Sequence, residues 1–298
     1  MRYLDHNATT PLAPEVRAEM ESAFECFGNP SSLHAAGQEA RRILDRARAR
    51  VATLLGAEPD EIVFTSGGTE ADNLAILGVM GASPRPGSAV VASAVEHPAV
   101  LNPCLRLQAA GHPAAFVAVD TNGTIRMEAF EEALRQGPAL VSVMLANNDT
   151  GTIQPVGTLA ACSRHRGAVF HTDAVQAVGK IPVDVRALGV DLLSLSAHKL
   201  YGPKGIGALF VRRGTSLASL VHGGHQERGI RPGTENVPAI AGFGKACEVA
   251  GMRLSAESAR QASLRDAFEA AATAAIPGVR VNGKDAPRLP NTRSEEHV

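Results

Sequence analysis

The chain lacks an excess of either charge, since 29 lysines and arginines stand against 30 aspartates and glutamates among its 298 residues. No run of basic residues stands out, which argues against nucleic acid or an anionic membrane as the main partner. No apolar stretch approaches the roughly 18 residues that a membrane span requires. The N-terminus also has no apolar signal-peptide core. We therefore expect a cytoplasmic protein without a nucleic-acid or membrane partner.

Cysteine is scarce, and the four cysteines lie far apart at positions 26, 104, 162 and 247. They form no C-x-x-C pair, so a zinc motif or a redox motif has no support. The ten histidines are scattered without metal-ligand spacing. We expect four free thiols and no metal site.

Short apolar segments alternate with helical segments through most of the sequence. The predicted strands are 61–65, 89–93, 115–119, 140–145, 168–171, 192–196 and 207–211. The predicted helices are 14–26, 35–55, 70–80, 97–110, 127–136, 155–166, 238–251 and 255–275, and one more strand with a turn is expected at 278–283. This alternation predicts an α/β fold with a mainly parallel seven-stranded sheet and helices on both faces.

Two predicted strands end next to residues that a pyridoxal phosphate (PLP) enzyme needs. Asp173 follows the strand 168–171, and Lys199 follows the strand 192–196. Ligands in such folds gather at the carboxyl ends of the strands, where a lysine amine can form a Schiff base and an aspartate can pair with the pyridine nitrogen. Two alternatives remain at this point: Asp173 as a helix N-cap and Lys204 as the functional lysine.

Other strand ends carry polar clusters as well. Ser66-Gly67-Gly68-Thr69-Glu70 joins a strand to a helix, where glycines and helix N-terminal amides can hold a phosphate. Glu96-His97-Pro98 and Asn147-Asn148-Asp149-Thr150-Gly151 close two further strands. Each cluster alone is an ordinary turn or cap, but together they indicate one functional rim. The long polar loop 223–236 is typical of a functional or disordered segment.

The order and content of these motifs resemble the cysteine desulfurases of the class V aminotransferase family, most closely the NifS/IscS type. The resemblance rests on segments that run in family order along the chain: Tyr3 to Pro11, Gly28 to Ser32, Thr65 to Glu70, Glu96 to Val100, Ala146 to Gly151, His171 to Lys180, His198 to Gly205 and the loop through Thr234. It implies the fold type I of PLP-dependent transferases, with PLP as the cofactor.

The resemblance also implies residue roles. Lys199 would carry the cofactor as a Schiff base and His97 would stack on the ring, both as catalytic residues. Asp173 would pair with the ring nitrogen, Gln176 would donate to the phenolic oxygen, and Asn148 would contact the hydroxyl side of the ring. The phosphate would be held by Gly68, Thr69, Ser196 and His198.

The family converts L-cysteine to L-alanine and leaves a persulfide on an enzyme cysteine for iron–sulfur cluster assembly, in some members for nitrogenase. The resemblance therefore implies an iron–sulfur scaffold or another sulfur acceptor protein as partner. It also implies a homodimer, in which Thr234 reaches the phosphate in the neighbouring subunit. Two alternatives stay open: a non-catalytic PLP-binding remnant, and a related class V aminotransferase or selenocysteine lyase.

Family members carry the persulfide cysteine and a substrate-binding arginine in a small C-terminal domain. None of the four cysteines lies in a matching motif, and the agreement ends at Thr292. We expect a C-terminally truncated chain with an N-terminal segment (1–14), a PLP-binding large domain (15–250), the start of an incomplete small α+β domain (251–292) and a non-native tail (293–298).

Overall fold

A seven-stranded sheet forms the centre of the computed structural model, which describes residues 2–83 and 87–297. Met1 of the predicted N-terminal segment and Val298 of the predicted tail lie outside the described residues. The strands of the sheet are β1 (Ile62–Thr65), β2 (Val90–Ser93), β3 (Ala114–Val117), β4 (Leu140–Ser142), β5 (Val169–Asp173), β6 (Leu192–Ser196) and β7 (Gly207–Val211). All seven predicted strands are thus present: β6 and β7 have the predicted bounds, and the ends of the other five are displaced by one to three residues.

The strand order is β1-β7-β6-β5-β4-β2-β3. Strand β7 runs antiparallel to both of its neighbours, and the other pairs are parallel. Because β1 and β6 both oppose β7, their carboxyl ends lie at the same edge as those of β2, β4 and β5. The prediction of a mainly parallel sheet is confirmed, and this edge brings the polar clusters together.

Helices cover both faces of the sheet. They are α1 (Pro14–Phe24), α2 (Ala35–Leu55), α3 (Gly68–Ala82), α4 (Pro98–Ala109), α5 (Met127–Leu134), α6 (Val156–His165), α7 (Val185–Leu188) and α8 (Val237–Ala275). Alternate residues of β1 show the two layers, since Val63 packs in the core with α3 and α4 while Ile62 and Phe64 pack in the larger core with α2 and α8. None of the described helices is long and apolar enough to cross a membrane.

The prediction of two helices after residue 237 is wrong, because α8 is one continuous helix of 39 residues. The sequence around Gly251 and Ser255 looked like a break, since glycine lowers helix stability by about 1 kcal/mol relative to alanine. Packing outweighs that cost here: α8 lies along α1 and α2, and a side chain at Gly251 would only touch Leu54 Cδ1 at 3.5 Å.

A small hairpin follows α8. Strand β8 (Val279–Val281) confirms the strand expected at 278–283, and it pairs antiparallel with β9 (Glu295–His297). Strand β9 was not predicted, because residues 293–298 were expected to be a non-native tail. Arg293 in that stretch also stacks its guanidinium 3.8 Å from the centre of the Phe268 ring.

The polar loop 223–236 is tied to the core by a buried ion pair. Arg48 Nη2 of α2 lies 2.5 Å from Glu227 Oε1. The Glu227 carboxylate also accepts a hydrogen bond from the Phe64 amide of β1 at 2.9 Å. Breaking one partner of such a buried pair is strongly destabilising, so this loop is a fixed part of the fold.

Candidate active site

A cavity of about 270 Å³ opens at the carboxyl ends of β1, β2, β4, β5 and β6. Nine of the ten residues predicted for the site line it: Gly68, Thr69, His97, Asn148, Asp173, Gln176, Ser196, His198 and Lys199. Thr234 is exposed on the loop 223–236 and does not line this cavity. The structure therefore brings the predicted residues together, while their individual roles stay predictions.

Lys199 is held by the N-terminal segment. Its Nζ donates to the carbonyl oxygens of Asn7 and, at 2.9 Å, of Ala8. Gln176 Nε2 donates to the same Asn7 carbonyl at 3.0 Å. Burial lowers the pKa of Lys199, although Asp173 opposes the shift. The rival Lys204 is exposed and lies outside the cavity lining.

One end of the cavity is suited to an anion. Helix α3 begins here without a side-chain cap, so its first amide N–H groups are free to meet a phosphate. A Cβ at Gly68 would come within 2.8 Å of Val175 Cγ2, which explains the glycine. The buried Ser196 lines the same cavity, and His198 Nδ1 lies 3.0 Å from Thr9 Oγ1.

A carboxyl group, that of Asp173 at the end of β5, also lines the cavity. Its Oδ1 accepts the Val175 amide at 2.8 Å, so it acts as a local cap while it lines the cavity. Burial raises the pKa of Asp173, and the charges of His97 and Lys199 counteract that rise. A cationic ring nitrogen placed here would further favour the carboxylate form.

His97 and Asn148 line the cavity from two other strand ends. His97 is the N-cap of α4, where its Nδ1 accepts the Ala99 amide at 3.1 Å. Asn148 donates from Nδ2 to Asp149 Oδ1 at 2.8 Å, and its carbonyl accepts a hydrogen bond from Asn7 Nδ2 at 3.1 Å. Both residues therefore have local structural partners in addition to their places in the lining.

Asn7, which contacts the cavity residue Lys199, and Asp72, which lines the cavity, were not assigned roles from the sequence. Asn7 belonged to a recognised motif, but its carbonyl contact with Lys199 spans 192 positions and leaves no local signal. Asp72 lines the cavity and is buried in α3. The signal for Asp72 was present, since it is an acidic residue in a helix whose neighbours Ala71, Leu74 and Ala75 are apolar.

None of the four cysteines lines the cavity, and all four are free thiols. Burial raises the pKa of Cys104 to about 12, and it also raises that of Cys247. Within residues 2–83 and 87–297, no group of three or more His, Cys, Asp or Glu side chains could hold a metal ion.

A family model described as aminotransferase class V matches residues 2–294. The chain belongs to this family. Among the curated relatives of this chain, the cysteine desulfurase IscS of Dictyoglomus turgidum is 48% identical over 290 residues, covering 97% of this chain and 74% of the relative. The cysteine desulfurase of Gluconacetobacter diazotrophicus is 50% identical over 293 residues, covering 97% and 73%.

Solved structures agree with this assignment. A NifS-like protein superimposes on this class V aminotransferase with a TM-score of 0.94 at 38% identity, covering 100% of this chain and 82% of the other. A NifS-like protein from Rickettsia africae gives a TM-score of 0.90 at 35% identity, covering 98% and 80%. Both the family resemblance and the fold type I prediction are thus confirmed.

Proposed function

We propose that this member of the class V aminotransferase family is a PLP-dependent cysteine desulfurase. The observation that carries the proposal is the cavity itself, which gathers a lysine, a buried aspartate and an uncapped helix N-terminus. The names of relatives that are 46–50% identical support the choice of L-cysteine as substrate over another amino acid.

The residues present fit PLP. The N-terminus of α3 with Ser196 and His198 suits the phosphate, Asp173 suits a cationic ring nitrogen, and the Lys199 amine suits the aldehyde. When bound, PLP would supply the aldehyde for covalent attachment and a ring that withdraws electrons from the substrate Cα.

The chain's own groups would carry the proton transfers and the positioning. Lys199 Nζ would take the proton from the substrate Cα, and burial, which lowers the pKa of this amine, favours the neutral form that the step needs. Asp173 would keep its negative charge facing the ring nitrogen. By the family resemblance His97 would pack on the ring, and Gln176 would donate a hydrogen bond to its phenolic oxygen.

The sulfur atom must then leave the cavity on a thiol. In the proposed reaction L-cysteine and a thiol R–SH give L-alanine and R–S–SH: the Cβ–S bond breaks, an S–S bond forms, and a proton is added at Cβ. The buried Cys104 and Cys247 do not suit this step, because their raised pKa values disfavour the thiolate. We propose a sulfur acceptor protein of iron–sulfur cluster assembly as the recipient.

The proposed active form is a homodimer with Thr234 at the neighbouring subunit's phosphate. The position of Thr234 supports this arrangement, because it is exposed on an anchored loop and lies away from the cavity of its own chain. Light scattering should give twice the 31.0 kDa mass of one chain. A single-chain mass at micromolar concentration in the presence of PLP would contradict the dimer.

Sulfide release tests the activity. Purified protein with PLP, L-cysteine and dithiothreitol should release sulfide at least about a hundredfold faster than Lys199→Ala, because the variant has no amine for proton transfer. Lys204→Ala is the matched control and should stay within about twofold of the wild type. Equal rates for the wild type and Lys199→Ala would contradict the desulfurase and favour a PLP-binding protein without that activity.

A further inference from the structure

A chain of buried polar side chains runs across the sheet next to Asp173. Ser142 Oγ of β4 lies 2.8 Å from His171 Nδ1 of β5, and His171 Nε2 lies 2.9 Å from Ser194 Oγ of β6. Burial lowers the pKa of His171 to about 3, so the imidazole is neutral at physiological pH. We call Ser142, His171 and Ser194 the polar chain.

Asp72 lies at the end of the polar chain, where its carboxyl group interacts with the Ser194 side chain. Its Oδ1 is 3.6 Å from His171 Nε2, too long for a hydrogen bond. Asp72 is 1% exposed, and its Oδ1 accepts no hydrogen bond from the described part of the protein. Burying an ionised carboxylate with an oxygen that accepts no hydrogen bond costs free energy, and burying a neutral carboxylic acid costs less. The neutral His171 provides no counter-charge.

Asp173 differs from Asp72 in its surroundings. Its Oδ1 receives the Val175 amide, and Lys199 and His97 favour its anionic form. Both carboxyl groups line the same cavity, where the charge of Asp173 disfavours ionisation of Asp72. Burial above all, with the charges of Asp173 and Glu96, raises the pKa of Asp72 far above its usual range, and a hydrogen bond with the Ser194 side chain opposes only part of that rise. A single proton shared by this pair therefore belongs on Asp72.

We propose that Asp72 is a positioning residue for Asp173: as a protonated acid it terminates the polar chain and leaves Asp173 as the anion available to the ring nitrogen. The polar chain connects the two residues structurally, since Ser194 lies directly opposite Asp173 in the β5–β6 register and its carbonyl accepts the Ala174 amide at 3.0 Å. The inference rests on the PLP site of the proposed function.

Two replacements of similar size separate polarity from charge at position 72. Asp72→Asn keeps a neutral polar group, whereas Asp72→Leu leaves the polar chain without a polar terminus. Titration of the apoprotein with PLP should give a dissociation constant about tenfold or more higher for Asp72→Leu, because a buried polar group loses its partner. Asp72→Asn should restore the constant to within about threefold of the wild type.

Two results would overturn the inference from this titration. If Asp72→Asn bound PLP as weakly as Asp72→Leu does, a negative charge at position 72 would be needed. Equal PLP affinities for all three proteins, with changes only in the melting temperature of the apoprotein, would show a purely structural role. If the wild type itself binds no PLP, the proposed function fails, and the inference is then decided by infrared spectroscopy of the apoprotein.

Infrared difference spectra give that independent readout. The wild type at neutral pH should show the carbonyl-stretch band of a buried protonated carboxylic acid, and Asp72→Asn should lose one such band. Glu96→Gln serves as the matched control, because Glu96 is another buried acid with a raised pKa and immediately precedes His97. If Asp72→Asn keeps every carbonyl-stretch band of the wild type, the inference is overturned. This test does not depend on whether Asp72→Leu folds.

Discussion

Glu96 immediately precedes His97, the residue predicted to stack on the cofactor ring. Its Oε1 accepts hydrogen bonds from Ser93 Oγ at 2.5 Å and from the Met144 amide at 2.7 Å. Its Oε2 is buried and has no hydrogen-bond partner in the described part of the chain. Burial raises the pKa of Glu96 from 4.5 to about 8. Glu96 is thus a neutral acid whose hydrogen bonds hold the backbone just before His97 in place.

This raised pKa predicts the pH dependence of stability. The native state binds more protons than the unfolded state between pH 4.5 and about 8, so the free energy of unfolding falls as pH rises through that window. Glu96→Gln keeps the acceptor Oε1 but cannot ionise. Its melting temperature should exceed that of the wild type by about 3 °C or more above pH 8, and the difference should vanish below pH 4.5.

Differential scanning calorimetry across this pH range provides the measurement. Glu128→Gln on α5 is the control, because Glu128 is exposed and its carboxylate lies outside the cavity lining. This variant should leave the pH profile of the wild type unchanged. Parallel profiles for the wild type and Glu96→Gln would show that Glu96 is ionised throughout.

The residues that line the cavity lie at the ends of helices and strands. Helix α3 presents its uncapped N-terminus, β5 ends at Asp173, and β6 leads into Lys199. Close backbone approach permits this arrangement, since a Cβ at Gly207 of β7 would come within 2.6 Å of the Gly67 carbonyl carbon. The same principle of small residues at close contacts applies along α8.

Two glycines of α8 should respond in opposite ways to alanine. Gly251→Ala should raise the free energy of unfolding by about 0.5–1 kcal/mol, because a Cβ there meets only Leu54 Cδ1 at 3.5 Å. Gly244→Ala should lower it by at least about 1 kcal/mol, because its Cβ would lie 2.6 Å from Ala47 Cα. Urea titrations measure both values, and destabilisation by Gly251→Ala would argue against a continuous helix at this position.

Elements with local signals were predicted well from the sequence. Helix α2 has the predicted bounds, because a regular apolar stripe leads to Gly56 with a φ of +65°. The continuity of α8 and the pairing of β9 were missed, since both depend on packing against distant residues. For the site, the strand-end rule and the family resemblance pointed to nine residues that line the cavity, whereas Thr234 lies outside the lining and Asp72 was missed. The Asp72 environment arises only when α3 packs against β5 and β6.

At the scale of the whole molecule, the two ends of the chain converge on the cavity. Asn7 donates from Nδ2 to the Asn148 carbonyl and to Thr292 Oγ1, both at 3.1 Å, and Asn291 Nδ2 donates to Asn7 Oδ1 at 2.8 Å. The Asn7 carbonyl meanwhile holds Lys199. The segment that covers the proposed cofactor site is therefore fixed by residues up to 285 positions away.

The central claim is that PLP is carried by Lys199. The most direct measurement is reduction of the PLP-loaded protein with borohydride, followed by peptide mapping with mass spectrometry. The account predicts a phosphopyridoxyl group on Lys199 in the wild type and in Lys204→Ala, and its loss in Lys199→Ala. A label on Lys204, or no stable label on any lysine, would contradict the account.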